Sequence, residues 1–278
     1  MKNLIFVVIL LFIASSVYSQ ADAVRKTYPE SFMEVVKTHN EEGLNNLYTD
    51  LDANLYVTRK YKDGAKLLFK ATSSGWAETV GINPNPYELR ISQFNVDILG
   101  NIAISNARFD EYDDHKHGQD GYDLFTYFKT KDGWKINHMN VSIAFDFDDI
   151  EEKIENTVDQ EKLIELNKNI LSSLESASIN ESCLIDSNWR ADIGLYKSGN
   201  LTSLKHLNKT EFLDFLKSNF NGKIKIITSK LSSVDGYLGY TTAKFLDPKT
   251  KKESPLIITY INYEGNWYWT SLQIEINE

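Results

Sequence analysis

The residues best suited to acid–base chemistry lie on two segments of alternating side chains in the first half of the chain. One segment carries His138, and the other carries Asp110. An imidazole that titrates near neutrality can act as a general acid or base when a carboxylate stands near it. We therefore take His138 and Asp110 as candidate catalytic residues, with Asp123 as an alternative partner for the histidine. A structural hydrogen bond is the competing role for a histidine on a half-buried strand.

The same segments supply a candidate ligand site. In a strand, alternate residues share a face, so the later segment groups Trp134, Ile136, His138, Asn140 and Ser142. The earlier segment groups Ile102, Ile104, Asn106, Arg108 and Asp110. We expect both faces to line a concave cavity, with four residues as ligand contacts: Arg108, Trp134, His138 and Asn140. Arg108, like its counterpart Lys244, would bind a carboxylate or pair with a cross-strand acid, and we favour the ion pair.

Metal and cofactor chemistry find little support in the sequence. His115 and His117 could hold a metal loosely, but Lys116 separates them on a predicted hairpin loop, so we expect no metal site. Cys183 is the only cysteine, which excludes an internal disulfide and indicates a small hydrophobic residue. Phosphate-binding, dinucleotide, nucleophile-elbow and zinc-helix motifs are missing, so we expect no cofactor.

The elements that position these residues occur twice. The first half predicts a helix around Phe32, a strand at 55–58, a helix at 65–72, a loop at 75–86 and four long strands at 88–99, 102–112, 122–130 and 134–145. The second half predicts the same order, with its second helix at 209–220, capped by Thr210, and its last strand at 267–276. Residues 107–109, 124–128 and 132–136 recur as 243–245, 257–261 and 264–269. The repeat predicts two similar α+β domains in tandem.

The domain boundaries follow from composition. Residues 1–19 read as a signal peptide, because a basic start precedes a short apolar run and a small-residue cleavage site. Such a run is too short to span a bilayer comfortably, so we expect export to the periplasm or the medium with no lasting membrane anchor. The first domain then covers 20–145, an acidic helical connector 146–160, and a more divergent second domain 161–278. The formal net charge of −9 argues against nucleic-acid partners.

The hairpin at residues 132–142 carries a family resemblance. Its Gly-Trp-Lys-Ile sequence resembles the closing strand of the NTF2-like superfamily, especially its SnoaL-like and DUF4440-like branches, and Gly265 and Trp267 are what remains of it in the second half. The resemblance implies two cone-like domains, each with N-terminal helices packed on a strongly curved antiparallel sheet. The family includes isomerases, dehydratases, binding modules and assembly domains, so the fold alone assigns no activity.

Two functions remain open at this stage. The favoured one is a non-enzymatic module that binds a small apolar or carboxylate-bearing ligand, or another protein. The alternative is a cofactor-independent acid–base enzyme, isomerase-like or dehydratase-like, with its site in the first cone. Trp267, Tyr268 and Trp269 place large side chains on both faces of one strand. This pattern predicts a sheet buried on both sides, as in an intra-chain pseudo-dimer of the two halves or a homo-oligomer.

Overall fold

The computed structural model describes residues 19–60, 66–83, 87–113, 115–144, 157–222 and 224–278. The predicted signal peptide lies outside these residues except for Ser19, and so does the predicted connector except for residues 157–160. Within the described ranges, no helix combines the length and the apolar character that crossing a membrane requires.

The first half is an α+β unit with a six-stranded sheet. Residues 19–25 form helix α1, a π-helical turn follows at Lys26–Ser31, and α2 (Phe32–Lys37) and α3 (Glu41–Asn45) complete the N-terminal helices. The sheet order is β2-β1-β6-β5-β4-β3. Its strands are β1 (Asn54–Lys60), β2 (Lys66–Thr72), β3 (Tyr87–Leu99), β4 (Ile102–Asp113), β5 (Lys116–Thr130) and β6 (Gly133–Ala144). Only the β1 and β6 pair is parallel.

The short elements after β1 differ from the sequence prediction. Residues 66–72 form β2, which pairs antiparallel with β1, and the helix comes later as α4 (Ser73–Ile82). The side chain of Thr72 accepts a hydrogen bond from the backbone amide of Gly75 and so caps α4. The predicted helix at 65–72 and loop at 75–86 are therefore wrong, because pairing with β1 outweighs the weak helical pattern. The four long strands are confirmed.

The second half repeats this order. Its elements are α5 (Thr157–Ser176), a 3-10 turn (Glu181–Cys183), β7 (Arg190–Lys197), β8 (Asn200–Leu207), α6 (Lys209–Phe220), β9 (Lys225–Ser233), β10 (Leu238–Leu246), β11 (Glu253–Tyr263) and β12 (Asn266–Asn277). The sheet order β8-β7-β12-β11-β10-β9 matches that of the first sheet. The predicted bounds of α6 are confirmed, but its cap is Asn208, which forms a capping box with Glu211. The predicted α+β fold class is confirmed.

Each closing strand contains a β-bulge at the same place. Thr126 of β5 pairs with His138 and Tyr127 pairs with Ile136, so Asn137 is the extra residue. In the second sheet, Thr259 pairs with Ser271 and Tyr260 with Trp269, which leaves Thr270 extra. A bulge breaks the alternation of side chains, so residues before and after it that share a face are no longer separated by an even number of positions.

Three apolar clusters follow from this arrangement. One lies between the first sheet and its helices, and the second lies between the second sheet and α5 and α6. The third cluster lies between the two sheets and takes five fully or nearly fully buried residues from each half. They are Tyr56, Ile102, Ile104, Leu124 and Phe128 from the first, and Tyr196, Leu238, Tyr240, Ile257 and Ile261 from the second.

The two sheets pack closely against each other and are joined by hydrogen bonds. A Cβ atom on Gly194 would lie 2.8 Å from a ring carbon of Phe128, so this glycine makes room for a side chain of the other half. Glu275 accepts hydrogen bonds from the backbone amide of Asn101 at 2.6 Å and from its side-chain amide at 3.0 Å. Tyr240 Oη donates to Asp97 Oδ2 at 2.9 Å. Polar contacts between the halves therefore surround the apolar cluster.

Candidate ligand site in the first domain

The bulge at Asn137 changes which face of β6 lines the first cone. Trp134 and Ile136 pack in the core between sheet and helices, as predicted. Beyond the bulge, Met139, Val141 and Ile143 continue that face. His138, Asn140 and Ser142 therefore point to the second domain, and the predicted grouping of these three residues with Trp134 is wrong.

His138 and Asn140 form part of the contact between the sheets. His138 is 1% exposed, and its Nε2 lies 2.9 Å from Asn140 Oδ1. Asn140 Nδ2 in turn donates to Thr270 Oγ1 of the second domain at 2.9 Å. Burial lowers the pKa of His138 to about 4, although the nearby Asp192 carboxylate opposes this shift. The imidazole is therefore neutral at physiological pH, and its hydrogen bond to Asn140 is part of the contact between the two sheets.

The predicted face of β4 is also reversed. Ile102 and Ile104 belong to the cluster between the sheets, whereas Ala103, Ala107 and Phe109 face the helices. Both faces of the strand are buried, so hydrophobicity could not identify the concave one.

Of the two charged candidates on β4, Arg108 forms an ion pair and Asp110 lies near a histidine. Arg108 Nη2 lies 3.3 Å from Asp120 Oδ2 on β5. Its counterpart Lys244 pairs with Glu253 at 3.1 Å, so an ion pair with a neighbouring strand recurs in both halves. Asp110 is half-buried, with its Oδ1 3.9 Å from His117 Nε2. The structure does not bring Asp110 to His138.

The cone of the first domain contains a different polar group, the carboxyl of Asp123. Asp123 is 5% exposed and precedes Phe125 and Tyr127 on the face of β5 that packs against the helices. Tyr28 Oη, from the N-terminal helical segment, donates a hydrogen bond to Asp123 Oδ2. The Tyr28 ring lies over Phe125, with centroids 4.1 Å apart. The sequence offered Asp123 only as a partner for His138, which lies on the opposite face.

Asp123 holds its proton unusually tightly. Burial raises the pKa of Asp123 to about 7, against the opposing effect of the hydrogen bond from Tyr28. The carboxyl therefore binds its proton close to neutral pH, and in its protonated form it can donate as well as accept a hydrogen bond. A carboxyl with a pKa near neutrality within a core of aromatic residues is a typical mark of a functional position.

Further polar atoms of the first core surround this carboxyl. Tyr48 and Tyr127 are buried, and the charge of Asp123 adds to burial in raising the pKa of each hydroxyl. Tyr127 Oη is 2.7 Å from Ser105 Oγ. Among the described residues, the buried Tyr48 Oη has no hydrogen-bond partner. A buried polar atom without a partner costs free energy, so this hydroxyl is suited to bind a ligand or a water molecule.

The second cone lacks the acid. The repeat aligns Asp123 with Leu256, which is fully buried in the second core. Its neighbouring hydroxyls are satisfied within the protein, because Thr241 Oγ1 and Tyr260 Oη both donate to Asn167 Oδ1, at 2.8 and 2.9 Å. This substitution within the repeat was the one signal in the sequence that could have identified Asp123.

The remaining sequence candidates lie elsewhere. His115 is exposed, and Cys183 is half-buried with a thiol pKa that burial raises above its ordinary value. Across the described residues, no group of three His, Cys, Asp or Glu side chains is placed to hold a metal ion.

Comparison with known proteins supports the fold alone. No protein-family model matches the chain, and no curated protein matches it. Many solved structures do, each over about half of the chain. An NTF2-like protein with a cystatin-like fold from Novosphingobium aromaticivorans is 12% identical, with a TM-score of 0.38, over 48% of this chain and 87% of that one. An NTF2-like protein of unknown function from Shewanella baltica is 17% identical, with a TM-score of 0.34, over 45% and 94%.

A third match, an NTF2-like protein from Cytophaga hutchinsonii, is 10% identical with a TM-score of 0.37, over 44% of this chain and 97% of its own. These identities and scores carry no argument about activity. The chain is thus similar to NTF2-like proteins, the group that residues 132–142 resemble, and these proteins match it half a chain at a time.

Proposed function

We propose that this chain is an exported binding protein whose first domain holds a small, largely apolar ligand in its cone, with Asp123 as the polar anchor. The observation that carries the proposal is the buried Asp123 carboxyl, whose pKa burial raises to about 7, in a core that is otherwise aromatic and aliphatic. A fold that needed only stability would place an apolar residue there, as Leu256 does in the second domain. A buried acid that costs stability is typical of a binding or catalytic position.

The ligand class follows from the walls of the cone. Phe125, Phe32 and Trp134 provide apolar and aromatic surface, and Asp123 and Tyr48 provide hydrogen bonding. A neutral ligand with one hydroxyl or carbonyl oxygen matches this set, because few polar groups orient a mostly apolar molecule. A carboxylate-bearing ligand fits less well, since Arg108 is paired with Asp120 outside the cone.

Mass spectrometry of small molecules retained by the purified native protein tests the proposal. The Asp123→Asn variant is expected to lose the retained molecule or to bind it at least tenfold more weakly, as about 1.4 kcal/mol of lost hydrogen bonding would produce. Asp110→Asn, which removes a half-buried carboxylate outside the cone, is the matched control and should retain the molecule. Equal retention by wild type and Asp123→Asn would refute Asp123 as the anchor.

Acid–base catalysis in the same cone is the second candidate. A carboxyl with a pKa of about 7 next to tyrosine hydroxyls has the proton affinity that a general acid or base needs. The retained molecule, once identified, separates the two functions. Conversion of that molecule by wild type but not by Asp123→Asn would favour the enzyme, whereas unchanged ligand would favour the binding protein.

Export is a separate part of the proposal and rests on residues 1–19 of the sequence. Amino-terminal sequencing of the protein recovered from its native host should begin at Gln20. A mature protein that begins at Met1 would refute cleavage.

A further inference from the structure

A histidine of the second domain lies between carboxylates of both domains. His206 on β8 has its Nδ1 2.5 Å from Asp192 Oδ1 on β7, and its Nε2 3.1 Å from Asp50 Oδ2, in the segment between α3 and β1 of the first domain. Asp192 is fully buried, and the imidazole is 31% exposed. One ring therefore connects the two domains through both of its nitrogen atoms.

The count of donors identifies the protonation state that this geometry needs. A carboxylate can only accept hydrogen bonds, and a neutral imidazole carries a single N–H. Nδ1 is hydrogen-bonded to Asp192, and the approach of Nε2 to Asp50 is attractive when both ring nitrogens are protonated and the ring is a cation. When the ring is neutral, the lone pair of one nitrogen faces a carboxylate oxygen, and that contact becomes repulsive.

The surrounding charges balance in the protonated state. Arg190 contacts the same two acids, with Nη2 3.1 Å from Asp50 Oδ2 and Nε 3.0 Å from Asp192 Oδ1. The carboxylates of Asp50 and Asp192 then face two cations, and one cation is left when His206 loses its proton. Burial alone would raise the pKa of Asp192, but Arg190, His206 and Asn137 together hold it below its ordinary value. Asp192 therefore remains charged in either protonation state of the ring.

Two other ionisable groups lie in the electrostatic surroundings of this cluster. Burial lowers the pKa of His138 to about 4, and the charges of Asp192, Arg190 and Lys70 also affect this pKa. The ring is therefore neutral above about pH 4. Lys70 is bound to Asp186 at 3.1 Å. His138 therefore does not contribute to a pH response of the cluster between mildly acidic and mildly alkaline pH.

We infer that His206 is a proton-dependent latch between the two domains, closed when the imidazole is protonated and weakened when it is neutral. Protons can reach the ring from solvent, because the imidazole is 31% exposed and Asp50 is 24% exposed, whereas Asp192 is fully buried. Its effect falls on the attachment of the domains, which is independent of the ligand proposed for the first cone.

A double-mutant cycle across the domains tests this inference. We expect His206→Gln and Asp50→Asn to show a coupling of about tenfold in the unfolding equilibrium constant at about pH 6, falling below about twofold at about pH 9. Effects of Asp123 and other groups cancel, because they are present in all four proteins. The cycle of His117→Gln with Asp110→Asn, a pair 3.9 Å apart within the first domain, is the control and should show weak coupling at both pH values.

A direct measurement covers the case in which a variant does not fold. The ¹⁵N chemical shifts of the His206 ring in the wild-type protein should show both nitrogens protonated at about pH 6 and one protonated at about pH 9. A coupling that is equal at both pH values, or a ring that is neutral at about pH 6, would overturn the latch.

Discussion

Asn137 Nδ2 donates a hydrogen bond at 2.8 Å to Asp192 Oδ2, and thereby connects the bulge of the first sheet to a buried acid of the second. The bulge of the second sheet makes an equivalent contact with the first sheet, because Thr270 Oγ1 accepts a hydrogen bond from Asn140 Nδ2 at 2.9 Å. Each bulge thus supplies one polar side chain to the contact between the sheets. The unpaired residue of a bulge is free of the usual alternation, which suits it to such a role.

Replacement of Asp123 should stabilise the protein relative to the wild type, by an amount that grows as the pH rises. The folded-state pKa of about 7 lies above the unfolded value of 3.8, so the contribution of Asp123 to stability is complete below about pH 4 and declines as the pH rises to about 7. Asp123→Leu, which copies Leu256, should remove this decline, on the order of 4 kcal/mol. Urea unfolding of both proteins at several pH values measures this decline. If the free energy of unfolding depends on pH in the same way in the variant and the wild type, the raised pKa is contradicted.

His138 should destabilise the protein on the acidic side. Its folded-state pKa of about 4 lies below the unfolded value of 6.5, so its stabilisation is present above about pH 6.5 and is lost as the pH falls towards 4. The loss is on the order of 3 kcal/mol. Over this range Asp123 acts with the opposite sign, so the measurement belongs in an Asp123→Asn background.

In that background His138→Gln should flatten the acidic part of the stability profile. The exposed His115 provides the control, because His115→Gln should leave the profile unchanged. A profile that keeps its acidic decline in His138→Gln would assign the decline to another group.

Two tyrosines of the first cone should respond differently to loss of the hydroxyl. Within the described part of the chain, Tyr48 Oη is buried and has no hydrogen-bond partner, so Tyr48→Phe should leave stability unchanged or raise it by about 1 kcal/mol. Tyr127 Oη bonds to Ser105, so Tyr127→Phe should cost about 1 kcal/mol. If Tyr48→Phe also weakens ligand retention, the hydroxyl serves binding and not folding. A Tyr48→Phe loss equal to that of Tyr127→Phe would show that Tyr48 has a partner.

A methyl group at Gly194 should disturb the contact between the sheets. Its Cβ would lie 2.8 Å from ring carbons of both Phe128 and Tyr196, so Gly194→Ala should cost about 1–3 kcal/mol. Gly118→Ala is the matched control within a strand, since its Cβ would meet nothing closer than 3.8 Å. Thermal unfolding of the two variants decides the point, and equal midpoints would mean that the sheets do not pack as closely as the structure has them.

The fold was more predictable from the sequence than the site. Helix α6 and the eight long strands follow from periodicity, because long elements average over many residues. The face assignment failed at Asn137, since one inserted residue reverses every later side chain and leaves no mark in composition. On β4 it failed because Ile104 and Ala103 are both buried, on opposite faces. Asp123 differs from Leu256 at an aligned position, and only the structure reveals that this position faces the cone.

The sheet contact also has a consequence for how the chain evolves and behaves on dilution. In a symmetric dimer every substitution appears twice, and dissociation depends on concentration. Here the two sides are encoded separately, so aligned residues can make different contacts. Gln273 donates to the Tyr127 carbonyl at 2.7 Å, whereas Asn140, at the aligned position of the other half, donates to Thr270. Covalent connection keeps the local concentration of each half constant for the other. One half is then free to acquire a buried acid such as Asp123 while the other keeps its apolar core.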